Sequence, residues 1–89
     1  EAVRRDDGSF LIAGWMPVDE MAELIGLKLP EKRSYETAAG LVIELMRRLP
    51  QTGEAVETEG FRFEVVDLDG RRVDKLLVSR IEPDMDPAV

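Results

Sequence analysis

The Asp69-Gly70 dipeptide sits between two runs of β composition, "GFRFEVVDL" and "RRVDKLLVSRI", and no other short stretch of this chain constrains the fold as tightly. Asp-Gly suits the two-residue turns that join antiparallel strands, because it accepts the positive φ those turns require. With Asp69 and Gly70 as the turn, Leu68 faces Arg71, Asp67 faces Arg72 and Val66 faces Val73. Further along, Glu64 faces Lys75, Phe63 faces Leu76 and Phe61 faces Val78. This register sets two carboxylates opposite two cations and two phenylalanines opposite aliphatic side chains, each pair contributing ~0.2–1 kcal/mol. Phe61, Phe63, Val65, Leu76 and Val78 then share one face, the expected core face.

The hairpin needs a layer to cover that face, and two helical patterns precede it. In "PVDEMAELIG", Pro17 suits the first helical position, Asp19 and Glu20 suit the positive end of the helix dipole, and Gly26 suits the C-terminal cap. Val18, Met21, Ala22 and Ile25 fall on one stripe. The second pattern, "SYETAAGLVIELMRRLP", is capped by Ser34 or Thr37 and carries Ala38, Leu41, Val42, Leu45, Met46 and Leu49 at helical spacing. Arg47 and Arg48 then occupy the last turn and Pro50 stops the helix. Gly40 interrupts this helix where alanine would be better by about 1 kcal/mol. The expected reason is the close approach of a neighbouring strand or helix.

"SFLIAGW" (Ser9 to Trp15) reads as a strand before the helices, and "EAVET" (Glu54 to Thr58) as a short strand after the Thr52-Gly53 turn. The order strand, helix, helix, strand, strand, strand predicts an α+β domain. Its sheet is mostly antiparallel, of about four strands, with both helices on one face. Residues 9–81 form the domain, residues 1–8 ("EAVRRDDG") a linker or lead-in, and residues 82–89 ("EPDMDPAV") a disordered acidic tail. The chain opens on Glu1 without a methionine, as expected of a piece of a longer protein.

The residue inventory excludes much chemistry. There are no cysteines and no histidines, so thiolate zinc sites, disulfides and Ser-His or Cys-His relays are absent. Nineteen acidic against 12 basic residues give a formal charge of −7, which repels phosphate backbones and excludes nucleic acid as the expected partner. No apolar run reaches the ~20 residues that span a bilayer, so no direct membrane insertion is expected. "DLDG" (Asp67 to Gly70) resembles the start of a calcium loop, but an EF-hand needs an oxygen ligand near Arg71 and a glutamate near Val78. Asp6-Asp7 and Asp84 to Asp86 are candidates for weak cation binding, although acidic ends usually stay solvated.

The glycines follow no phosphate-cradling pattern. Trp15 and Tyr35 are read as core-edge packing in preference to a stacking platform. Arg4-Arg5, Arg47-Arg48 and Arg71-Arg72 make a basic patch only if they converge in space. No catalytic, metal-ligating or cofactor-binding residue is assigned, and no enzyme activity is expected.

Taken in order, "DGSFLIAGWMPVDEMAELIGLKLP", "YETAAGLVIELMRRLPQTGE" and "FRFEVVDLDGRRVDKLLV" resemble the transporter-associated domain at the C-terminus of CorC/HlyC-type membrane proteins. The likeness runs from Asp7 to Ile81, and Tyr35, Thr37 and Gly40 match that family's Tyr-x-Thr-x-x-Gly helix start. The resemblance implies a domain that follows a transmembrane module and a pair of CBS domains on the cytoplasmic face. It implies a haemolysin-like parent linked to magnesium and cobalt efflux, with this domain modulating transport. Self-association into a homo-oligomer is expected from the sheet itself, which has one helix-covered face and leaves an edge or face to bury. The family fold also resembles part of certain flavin-adenine-dinucleotide-binding oxidases. Flavin adenine dinucleotide is therefore implied by fold analogy only, no cofactor is expected, and a nucleotide or flavin sensor is the alternative function.

Overall fold

The computed structural model describes residues 2–81. Five strands and two helices follow in the order β1 (Ala2–Arg4), β2 (Phe10–Ala13), α1 (Val18–Ile25), α2 (Ala38–Met46), β3 (Ala55–Thr58), β4 (Phe61–Asp69) and β5 (Arg72–Arg80). The strands make one antiparallel sheet ordered β1-β2-β5-β4-β3. The α+β architecture is as the sequence indicates, with one strand more. Ala2–Arg4, expected as lead-in, pairs with β2 through Ala2↔Ile12, Val3↔Leu11 and Arg4↔Phe10. The charges of "EAVRRDDG" hide this strand, and an edge strand of three residues carries little pattern. The expected acidic tail, residues 82–89, lies outside the described residues.

The hairpin forms in a different register. Asp69 pairs with Arg72, which leaves Gly70 and Arg71 as the turn. Gly70 has φ +65° while Arg71 stays at negative φ. Glycine in the first central position is the type II′ pattern, whose twist matches the strands. Farther from the turn Phe61 pairs with Arg80, Phe63 with Val78 and Val65 with Leu76, two residues away from the expected partners. A two-residue shift preserves which face each side chain takes. Phe61, Phe63, Val65, Leu76 and Val78 are therefore all buried, as expected.

Two register shifts near the turn explain the remainder. Asp67 pairs with Lys75 between the Leu68–Val73 and Val65–Leu76 pairs, so Val66 on β4 and Asp74 on β5 are each one residue extra. The double bulge turns Val73 inward although Leu76 lies an odd number of residues away, and both are buried.

Gly14 meets this bulge. Its N–H donates to the Asp74 carbonyl at 2.8 Å, and a Cβ there would lie 2.0 Å from the Val73 carbonyl oxygen. Its own carbonyl accepts from Ala39 N–H at 2.8 Å, tying the end of β2 to the start of α2. Val18 N–H donates to the Glu36 carbonyl and Ala38 N–H to the Met16 carbonyl, so both helix starts are laced together.

Both helices cover the same sheet face. Val18, Met21, Ala22 and Ile25 of α1 and Ala38, Leu41 and Val42 of α2 join the hairpin residues and Ile12 in one core. Thr37 caps α2, its Oγ1 accepting from Gly40 N–H at 3.0 Å. At Gly40 a Cβ would lie 2.9 Å from Tyr35 Cβ, so the close approach comes from the capping loop and not from another strand or helix.

The second helix ends earlier than its sequence suggests. Arg47 takes the left-handed conformation at φ +62°, and Arg47 and Arg48 lie beyond the last turn. The chain then bends to bury Pro50, leaving Leu45 and Leu49 exposed. The Arg48 guanidinium grips Glu54 through two bonds of 2.7 and 2.5 Å, fastening this bend to the start of β3.

The same contact makes one pH response predictable. The bonds from Arg48, then the Gln51 backbone N–H, pull the Glu54 carboxyl from its ordinary range down to about 2. A depressed folded-state pKa adds stability above the unfolded value, and that stability is lost as pH falls through the folded one. The thermal midpoint of Glu54→Gln should lie below that of the unaltered chain near pH 6, and the gap should close between about pH 4.5 and pH 2. Calorimetric scans across that range check it; a constant gap would contradict the ion pair.

Candidate interaction face

Helices cover one side of the sheet, and strand alternation fixes what the other side carries. A row across all five strands runs Val3, Leu11, Leu77, Glu64, Ala55, each opposite the next. Its β1-β2-β5 half is apolar, and β4 brings the charged Glu64. Arg62 and Glu64, both on β4, pair at 2.9 Å. Ala13 lies opposite Lys75 in the neighbouring row.

Trp15 follows the end of β2 after the single residue Gly14. It is 59% exposed, and Val3 at the sheet edge is 58% exposed. The tryptophan was expected at the edge of the core, but the chain turns at Gly14 and carries it to the uncovered side. Tyr35 does pack against the core from its margin, as expected. Val3, Leu11, Ala13, Trp15, Asp74 and Lys75 surround a hollow of about 260 Å³. Exposed tryptophan beside aliphatic side chains and a polar rim is the composition of protein-binding surfaces.

The rim charges are held in place. Lys75 Nζ lies 2.9 Å from Asp74 and 3.8 Å from Asp67. Its hydrogen bond holds the Asp74 carboxyl below the usual range, and the same bond raises the Lys75 ammonium. Both groups therefore stay charged across the physiological range. The rim presents a fixed acid–base pair to whatever docks.

Elsewhere, among the described residues, the sequence's candidate cation ligands do not come together. Asp7 Oδ1 accepts from both the Ser9 N–H, at 2.9 Å, and the Ser9 hydroxyl, at 2.6 Å, closing the β1–β2 turn. Asp84 to Asp86 fall outside the described residues. Among the described residues no group of three or more acidic side chains is placed to hold a metal ion. Arg4 lies level with Val78 near the far end of β5, whereas Arg71-Arg72 sit at the hairpin tip, so the three basic pairs form no single patch. No helix among the described residues is long and apolar enough to cross a membrane.

A second hollow, of about 370 Å³, lies between the α1–α2 loop, α2 and the β3–β4 turn. Its walls include Leu27, Leu29, Tyr35, Leu41 and Leu45. Lys28, Thr58 and Glu59 add polar groups to its rim.

The chain is thus a small α+β module with one bare, half-apolar sheet face. The comparisons define the module. Residues 3–82 match the CorC_HlyC "Transporter associated domain" family, and the chain belongs to it. The Escherichia coli K12 "Polyamine export protein" is 37% identical over 83 residues, covering 92% of this chain and 19% of that protein. This chain thus spans about a fifth of that relative's length. The transporter-associated domain of a Xylella fastidiosa Temecula1 hemolysin superposes with a TM-score of 0.80 at 44% identity, over 91% of this chain and 95% of that one. The Xylella domain has also been solved in complex with Mg++ and Mn++, again at a TM-score of 0.80 and 44% identity, over 91% of this chain and 98% of that one.

Proposed function

We propose that this chain is a non-catalytic regulatory and interaction domain of a membrane exporter, positioned on the cytoplasmic face of the membrane. The observation that carries the proposal is the uncovered sheet face, where Trp15 and Val3 stand exposed beside Leu11 and Leu77. The partners are the transmembrane and CBS modules of the same parent chain, within a homo-oligomer. Docking through this face couples the domain to the transport cycle.

The cargo is a multiply charged cation. Magnesium and cobalt are the ions that the resemblance implies, and polyamines appear in the name of the Escherichia coli relative. The two classes share positive charge and compete for the same acidic surfaces. The Mg++ and Mn++ complex of the Xylella domain supports a divalent ion meeting such a module.

Trp15→Ser tests the reading. Being exposed, the side chain contributes little to the fold, and the isolated domain should keep its stability to within about 0.5 kcal/mol. Export by the full-length parent, measured separately with cobalt and with a polyamine, should fall severalfold for the true cargo. Full export of both by the Trp15→Ser parent would remove the support for a docking role.

A further inference from the structure

Core-facing positions of a helix-covered sheet are ordinarily apolar, and here two are arginines. One inward row runs Arg4, Phe10, Val78, Phe63, Val56, and Arg80 opposes Phe61 one step along. Arg4 and Arg80, both exposed at the margin of this face, line a groove of about 290 Å³ near the end of α1 with Phe10, Phe61, Val78 and Leu24. The Arg80 guanidinium lies 5.2 Å from the centre of the Phe61 ring, which orients it over an aromatic wall. Neither arginine makes an ion pair among the described residues, although the chain has seven more acidic than basic side chains. What sets Arg4 and Arg80 apart from the chain's other cations is that both line one groove that also carries an aromatic wall.

We infer that this groove binds a small organic anion, a carboxylate or phosphate ester carrying an apolar body. The guanidinium groups supply a planar set of donors for an oxyanion. Phe10, Phe61, Val78 and Leu24 receive the apolar part. The groove's volume is near the lower end of ordinary ligand pockets, which fits a single ring or short chain. A nucleic acid or an anionic bilayer does not fit, since both meet the repulsion of a chain whose net charge is −7. The site lies on the helix-covered side of the sheet, so it stands or falls independently of the Trp15 face.

The test is an NMR titration of the isotope-labelled 89-residue chain at fixed ionic strength, with phenyl phosphate and benzoate as probes. Inorganic phosphate and benzyl alcohol provide the charge alone and the ring alone. Saturable shifts at Gly8, Phe10, Phe61, Val78 and Arg80 are expected with at least one probe, at an affinity about tenfold above inorganic phosphate. Whichever probe binds more tightly separates a phosphate from a carboxylate ligand. Arg4→Gln with Arg80→Gln should weaken the binding about tenfold or more. Arg80→Lys, which keeps the charge but loses the planar fork, should fall between.

Equal binding of inorganic phosphate, shifts scattered away from the groove, or binding indifferent to both arginines would overturn the proposal. So would binding that appears only after Asp84→Asn with Asp86→Asn, because the occupant would then be the chain's own acidic end.

Discussion

Gly14→Ala should cost this domain about 3 kcal/mol or more, lowering its thermal midpoint by roughly 15 °C. The added methyl group would lie 2.0 Å from the Val73 carbonyl oxygen and 2.9 Å from its carbon. Those are backbone atoms inside a bulge, so no side chain can swing aside. Relief requires β2 to part from β5, which breaks the bond from Gly14 N–H to Asp74 and strains the one from Ala39 N–H. Gly14 has no positive φ, so alanine brings no intrinsic backbone strain and the effect isolates the collision. Gly40→Ala is the control. Its Cβ would meet Tyr35 Cβ at 2.9 Å, so the capping loop must shift, but by less than the 2.0 Å backbone collision at Gly14 demands. Alanine also favours the helix by about 1 kcal/mol. Chemical denaturation of both variants checks the contrast: Gly14→Ala should lose far more stability than Gly40→Ala.

Phe63→Ala should cost about 3–5 kcal/mol, a large share of the ~5–10 kcal/mol expected for a domain of this size. Phe63 is 0% exposed, sits on β4 between β3 and β5, and faces Val56 and Val78 across the strands. Removing its ring leaves a cavity walled by strands and helices that are already locked in register. Leu49→Ala offers the comparison. Its helical spacing marks it as core, but the early end of α2 leaves it 40% exposed, and its loss should stay near 0.5 kcal/mol. Urea titration of the two variants decides whether the core follows the helical pattern or the observed packing.

These contrasts show how far the sequence carries the fold. The hairpin, the Pro17 helix start and the Thr37 cap are local signals, because each depends on residues within one turn or one strand. The inward set Phe61, Phe63, Val65, Leu76 and Val78 is legible for a subtler reason: alternation survives a register error of two residues. The paired bulges at Val66 and Asp74 are not legible, since they arise where Gly14 lets β2 and α2 close on the hairpin. Strand β1 is hidden because its partners lie on a segment whose position only the folded sheet defines.

The candidate interaction face was obscured by the same kind of tertiary fact. Leu11 and Leu77 look like ordinary strand residues, and only the pairing of β2 with β5 puts them side by side. Trp15 looks like a core residue because large aromatics usually are. Its exposure follows from the turn at Gly14. The Arg4 and Arg80 groove needs β1 to exist at all, so an assignment of residues 1–8 to a linker conceals it.

The central claim is that the bare sheet face docks within the parent transporter, and site-directed photo-crosslinking tests it most directly. A photoreactive residue replacing Trp15 in the full-length parent should capture another module of that protein or its second copy. The same residue at Leu49, on the helical side, should not. Equal capture from both positions, or capture from Leu49 alone, would contradict the account.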